Sequence, residues 1–110
     1  MDKFNLNDFI KGWFVGDFDP SIAKTQNVEV GIKRYKKGEN EERHHHRVAT
    51  EITVIISGEV EMNGTRYKEN DIISIPPNIS TDFKTLADTV TCVVKLPGAT
   101  DDKFLGDVHD

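Results

Sequence analysis

The sequence predicts an all-β fold, either a sandwich or a small barrel of short strands. From Val28 onward, apolar and polar residues alternate in short runs rich in valine, isoleucine and threonine, with turn-forming residues between the runs. This alternation is the pattern of half-buried β-strands. Asn63-Gly64 is a typical two-residue hairpin turn, because both residues tolerate a positive φ angle. No segment after residue 28 has a helical period, so many short strands remain as the only consistent interpretation.

Eight strands are predicted in this part of the chain, and each is bounded by turn residues or by a proline. They are Val28–Tyr35, Arg43–Val48, Thr50–Ser57, Glu59–Met62, Thr65–Tyr67, Asp71–Ile75, Thr81–Lys84 and Thr89–Leu96.

Residues 1–27 differ in composition from the strand region. They carry Trp13, Phe14 and Phe18 among glycines, aspartates and a proline. We expect an irregular lead-in, with room for one short helix over Leu6–Lys11. Its aromatic side chains pack either on the barrel or on a dimer partner, since aromatic residues are common in both settings.

Residues 28–97 make up the predicted barrel, and residues 98–110 form an acidic tail. Phe104 and Leu105 are the apolar residues that could anchor this tail to the body or to a second subunit. The whole chain has 110 residues, which fits one domain of ordinary size.

Charge and composition exclude several classes of function. The net charge is −5, which argues against nucleic acid as a main partner, because phosphate binding needs a basic surface. No apolar run approaches the roughly 18 residues that suggest a membrane span, and the N-terminus lacks the layout of a secretory signal. Cys92 is the single cysteine, so no intrachain disulfide forms. A cytoplasmic location is expected.

A histidine and glutamate cluster gives the strongest functional signal. On an extended strand, His44 and His46 point to the same side and His45 points to the other, which predicts that His45 is a surface or interface residue. Glu51 follows five residues after His46, and a return strand brings it back beside the two imidazoles. Two imidazoles and one carboxylate suit a divalent metal with open coordination positions.

The spacing of Gly38, His44, His46, Glu51 and Gly58 resembles the first motif of the cupin family, G-x5-H-x-H-x4-E-x6-G. Every fixed position of that motif is met. The resemblance implies a small antiparallel jelly-roll barrel that binds one divalent first-row transition metal, with iron, manganese, nickel and zinc as the candidates. It also implies a homodimer.

The second cupin motif, G-x5-P-x-G-x2-H-x3-N, is met only in part. Pro76 matches, but Thr81 stands at the position of the histidine that supplies the fourth protein ligand. A hydroxyl is a poor substitute for imidazole. We therefore expect two histidines and one glutamate as protein ligands, with water or substrate completing the set. Asp82 is an alternative fourth ligand only if a bulge turns it inward.

The resemblance implies a metal-dependent enzyme that acts on a small polar metabolite, by dioxygenase-type or sugar isomerase/epimerase-type chemistry. The alternative is a non-catalytic module of the same fold that binds a carbohydrate-like small molecule. Thr81 favours the alternative, and the complete first motif opposes it.

Other pocket residues are harder to assign, because alternation does not say which face of a strand is buried. If Val93 and Lys95 face the interior, Lys95 could hold an anionic substrate group or carry a proton. If Cys92 faces the interior instead, Lys95 is a solvated lysine, which is the interpretation we favour. Tyr35 and Lys33 share one face of their strand and could line the barrel.

Overall fold

The computed structural model describes residues 1–108 and contains two antiparallel five-stranded sheets that pack face to face. In chain order the strands are β1 (Trp13–Val15), β2 (Glu29–Tyr35), β3 (Asn40–His45), β4 (Thr50–Ser57), β5 (Glu59–Met62), β6 (Thr65–Lys68), β7 (Ile72–Ile75), β8 (Thr81–Thr85), β9 (Thr89–Leu96) and β10 (Phe104–Leu105). One sheet has the order β1-β2-β9-β4-β7, and the other has the order β10-β3-β8-β5-β6. The predicted all-β jelly-roll barrel is confirmed.

The predicted strands agree with the structure to within one residue except at the segment that carries the three consecutive histidines. The strand predicted over Arg43–Val48 begins earlier and ends earlier, at Asn40–His45. Strands β1 and β10 were not predicted, and each adds an outer strand to one sheet. The last two residues of the predicted tail, His109 and Asp110, lie outside the described residues.

The N-terminal segment contains two 3₁₀ turns, Leu6–Asp8 and Ile10–Gly12, where one short helix was considered. Trp13 follows in β1 and pairs with Gly31 of β2. A side chain at Gly31 would meet the Trp13 ring at 2.7 Å, so the glycine lets the indole lie flat on the strand. Trp13 therefore packs on the barrel of its own chain. Within residues 1–108, no helix is long and apolar enough to cross a membrane.

The hydrophobic core lies between the two sheets. Ile55 and Ile75 from one sheet contact Val60, Met62 and Phe83 from the other, and all five side chains are buried. A cavity adjoins this core. Met62 and Phe83 belong to both, since they pack in the core and also line the cavity.

Gly58, which closes the first motif, fills a site where no larger residue fits. Its φ angle is +97°, and a Cβ there would collide with the Asp88 carbonyl oxygen and lie 2.7 Å from Thr89 Cα. Gly64 in the hairpin also has a positive φ, +81°, but a Cβ there would meet open space. A comparison of Gly58 with Gly64 therefore separates the cost of a positive φ angle from the cost of a steric collision.

We expect Gly58→Ala to lower the free energy of unfolding by about 3 kcal/mol, because strain and overpacking add. Gly64→Ala should cost about 1–2 kcal/mol, because only the left-handed conformation is penalised. Urea unfolding of both variants measures the difference, and equal losses would contradict the account.

Candidate metal centre

A bulge in β3 decides which side chains reach the cavity. Glu41 pairs with Phe83 and His44 pairs with Thr81, so three residues advance on β3 while two advance on β8. Strict alternation would place Glu41 and His44 on opposite faces. The extra residue brings both to the same side, and both line the cavity.

The structure brings the three predicted ligands together. One donor atom from each of His44, His46 and Glu51 lies within 4.8 Å of the others. His46 Nε2 is 3.5 Å from Glu51 Oε1. Both histidines are buried, at 7% and 5% exposure. The cluster is able to bind a metal, and its donor types suit a first-row transition metal.

Backbone carbonyls fix the orientation of both imidazoles. His44 Nδ1 lies 2.8 Å from the Glu42 carbonyl oxygen, and His46 Nδ1 lies 2.9 Å from that of Asp102. A carbonyl only accepts, so each Nδ1 carries the proton and each Nε2 keeps its lone pair. His46 Nε2 is buried and, within residues 1–108, has no hydrogen-bond partner. This arrangement is the one that metal-ligating histidines adopt, so the residues present fit a metal.

The electrostatics of Glu51 agree with this arrangement. Burial alone would raise the pKa of the Glu51 carboxyl, but the nearby His46 imidazole, 3.5 Å from Glu51 Oε1, outweighs it. Lys95 and His44 act in the same direction, and the net effect lowers the pKa of Glu51 below its ordinary value. Glu51 is therefore an anionic candidate ligand at neutral pH.

The C-terminal segment holds the loop that follows β3. The Asp102 carboxylate accepts hydrogen bonds from the backbone N–H groups of Arg47, Val48 and Ala49 at 2.9–3.2 Å. Burial would raise the pKa of Asp102, but these N–H groups lower it overall. Because the same residue's carbonyl also accepts from His46, one tail residue fixes both the loop and a candidate ligand.

The prediction that His45 is a surface or interface residue is wrong. Its side chain is 2% exposed, because β10 pairs with β3 and covers it. His45 Nδ1 lies 2.9 Å from the Gly106 carbonyl oxygen, and its ring stacks on Phe104 at 5.6 Å. The guanidinium carbon of Arg47 lies over the Phe104 ring, 3.7 Å from the ring centroid. His45 faces away from the metal cluster, as alternation predicted, but into the tail.

The position of the missing fourth histidine is filled by Thr81, which is buried, pairs with His44 and lines the cavity. Asp82 takes no part in the cluster. Its carboxylate accepts from the Asn63 backbone N–H at 2.7 Å, so it supports the hairpin turn. Among residues 1–108, the candidate metal cluster comprises His44, His46 and Glu51.

A cavity of about 290 Å³ adjoins this cluster, and His44 and Glu51 line it. Lys95, Lys33 and Tyr35 all line it, so Lys95 faces inward and the favoured interpretation of a solvated lysine does not hold. The reason is that Thr91 and Val93 of β9 are the buried face, and Lys95 continues that face. Trp13 also lines the cavity.

Glu41 is a site residue that sequence reasoning missed. It lines the cavity, and its carboxylate accepts a hydrogen bond from the Tyr35 hydroxyl at 3.0 Å. Burial and the charge of Glu41 raise the pKa of Tyr35 well above its ordinary value, so the phenol stays a donor. The bulge that turns Glu41 inward leaves no clear signal in the sequence.

Comparison with known proteins identifies the fold. The chain matches an uncharacterised double-stranded β-helix protein from Klebsiella pneumoniae (TM-score 0.73, 19% identity, 96% of this chain and 92% of that one). An RmlC-like cupin from Shewanella frigidimarina gives a TM-score of 0.65 at 17% identity, covering 70% and 72%. The DMSP lyase DddQ from Ruegeria pomeroyi gives 0.69 at 16% identity, covering 94% of this chain and 59% of that one.

No described protein family and no curated protein matches the chain by sequence. At these identities, the structural likeness shows the fold alone. The chain has the double-stranded β-helix fold of the cupins.

Proposed function

We propose that the protein is a metal-dependent enzyme acting on a small polar metabolite. The observation that carries the proposal is the cluster of His44, His46 and Glu51: both histidines are buried and oriented by carbonyls, and His44 and Glu51 line a cavity. A divalent first-row metal bound there would act as a Lewis acid toward an oxygen of the substrate. That a DMSP lyase shares the fold is consistent with catalysis on this scaffold.

The residues beside the cluster favour proton transfer over oxygen chemistry. Glu41 is a carboxylate inside the cavity, and the Tyr35 hydroxyl donates a hydrogen bond to it. A positioned carboxylate can accept and return a proton, which isomerisation and epimerisation require. Of the two chemistries expected from the sequence, we therefore propose the isomerase/epimerase type, with Glu41 as the base and Tyr35 as the residue that orients it.

A second candidate is a binding module without catalysis. Thr81, in place of a fourth metal ligand, is the observation that favours it. Incubation of the metal-loaded protein with a panel of small sugars and hydroxy acids, followed by mass spectrometry and NMR, separates the two candidates. The enzyme proposal expects a product that is absent with His46→Ala and with Glu41→Gln. Binding without turnover of any panel member would favour the module.

We also propose that the protein forms a homodimer. We propose the cytoplasm as its location, because a chain with a single cysteine suits a reducing compartment. The outer face of the β2-β9-β4-β7 sheet is apolar along consecutive cross-strand rows, such as Ile32, Cys92, Val54 and Ile72. Ile72 is 66% exposed. Since these rows carry no charge, a second copy of the same face is the complementary partner.

Ile72→Asp is expected to weaken dimerisation by at least about 10-fold, because it would bury a carboxylate in the apolar contact. Lys84→Asp, an exposed change on the other sheet, is the matched control and should leave the dimer intact. Sedimentation equilibrium measures both. A parent protein that is monomeric at micromolar concentration would contradict the proposal.

A further inference from the structure

The cavity that His44 and Glu51 line is also lined by lysines from four separate segments of the chain, namely Lys11, Lys33, Lys95 and Lys103. Among residues 1–108, two carboxylates, Glu41 and Glu51, line it with them. The fixed charge of the cavity is therefore positive before any metal binds. Gathering like charges at a partly buried site is unfavourable unless an anion compensates for them.

The crowding is visible at Lys33. Burial is the largest influence, and it lowers the pKa of the Lys33 ammonium. Glu41 acts in the opposite direction, but Lys11, Lys103 and Lys95 each lower the pKa further. Lys33 therefore lies close enough to the other three ammonium groups to be affected by their charge.

Trp13 contacts two of these lysines through its ring. Its ring centroid is 4.9 Å from Lys95 Nζ and 5.6 Å from Lys33 Nζ. Gly31 makes room for the indole on the strand between them. The ring face therefore attracts both ammonium groups, and both lysines line the cavity together with Trp13.

Donor groups around Trp13 remain available. Lys33 Nζ donates to the Lys11 carbonyl oxygen at 3.1 Å, which uses one of its three hydrogens. For the Lys95 ammonium group, no residue in 1–108 provides a hydrogen bond or ion pair, although Glu29 and Glu51 are the cross-strand neighbours of Lys95. The Thr91 hydroxyl is buried in the cavity wall and likewise has no partner within the described residues.

We propose that the substrate is a small organic anion whose carboxylate binds between Lys33 and Lys95 while its other end faces His44, His46 and Glu51. This inference rests on the proposed function, because it names the substrate class of the same site. A cavity of about 290 Å³ is at the small end of the range for ligand sites. It fits a compact hydroxy, keto or dicarboxylic acid and not an oligosaccharide.

The test compares malonate with its neutral diamide, malonamide, which has nearly the same size and shape. Calorimetry measures both affinities on metal-loaded and on metal-free protein. Trp13 is the only tryptophan in the chain, so its fluorescence reports whether the probe reaches the lysine pair. Metal content is measured on every sample, since neither lysine is a candidate ligand.

We expect malonate to bind more tightly than malonamide and to shift the Trp13 emission. Lys33→Gln and Lys95→Gln should each weaken malonate binding by about 10- to 100-fold, the range for loss of one charged hydrogen bond. Malonamide affinity and metal content should stay unchanged. Lys84→Gln, which removes an exposed lysine from β8, is the control and should bind like the parent.

Malonate binding no tighter than malonamide binding, or unaffected by both lysine substitutions, would overturn the inference even with metal bound. Failure to take up metal contradicts the proposed function instead. In that case the metal-free titrations still decide the lysine pair: malonate affinity lost in both variants supports it, and unchanged or undetectable affinity overturns it.

Discussion

His46→Ala is expected to lower the affinity for a divalent transition metal by at least about 100-fold, since even residues that only support a ligand contribute about 10- to 100-fold. The physical reason is that His46 supplies a buried Nε2 with no other partner within residues 1–108, 3.5 Å from Glu51. Competition with a chromophoric chelator measures the affinity. His44→Ala should behave in the same way.

The matched control lies between the two proposed ligands. His45→Asn keeps an N–H donor for the Gly106 carbonyl and leaves both proposed ligands in place. We expect it to bind metal like the parent protein, even if stability falls. Equal loss of affinity in His45→Asn and His46→Ala would show that the effect is structural, and would contradict the assignment of His46 as a ligand.

Asp102→Ala is expected to cost about 2–4 kcal/mol of unfolding free energy, because it removes the acceptor for three backbone N–H groups. The Ala49 N–H is the most consequential of them, since Ala49 is 1% exposed and water cannot replace the lost partner. Loss of these three hydrogen bonds also loosens the Asp102 carbonyl that orients His46. Metal affinity should therefore fall together with stability.

Asp102→Asn and Asp101→Asn form a matched pair, because each removes one carboxylate charge from neighbouring positions of the tail. Asp101 is exposed, and asparagine tolerates its positive φ of 57°. We expect a clear loss of stability and of metal affinity for Asp102→Asn and almost none for Asp101→Asn. Urea unfolding and chelator competition measure both quantities. Equal losses of stability and metal affinity in the two variants would mean that net charge is responsible, and not the hydrogen bonds of the Asp102 carboxylate.

The long strands could be predicted from the sequence because burial on one face imposes period two on valine, isoleucine and threonine. Thr50–Ser57 and Thr89–Leu96 show this best, and both have the predicted bounds. Strands β1 and β10 could not be predicted, because three and two residues are too few for a period. Their pairing partners, distant in sequence, determine them.

The candidate site also has features that the sequence predicts and features that it does not. The spacing of His44, His46 and Glu51 predicts their meeting, because strand geometry fixes it locally. The inward position of Glu41 depends on a bulge, and the burial of His45 depends on a tail that returns from about sixty residues further on. The orientation of Lys95 depends on which face of β9 is buried. The periodicity of the sequence does not say which face that is.

Elemental analysis of protein purified without a histidine tag or chelator, alongside Glu51→Gln, tests the central claim most directly. We expect one first-row transition metal per chain in the parent and little in the variant, because Glu51 is the anionic member of the set. A metal-free parent that also takes up no ferrous, manganese, nickel or zinc ion would contradict the account of this cavity as a metal centre.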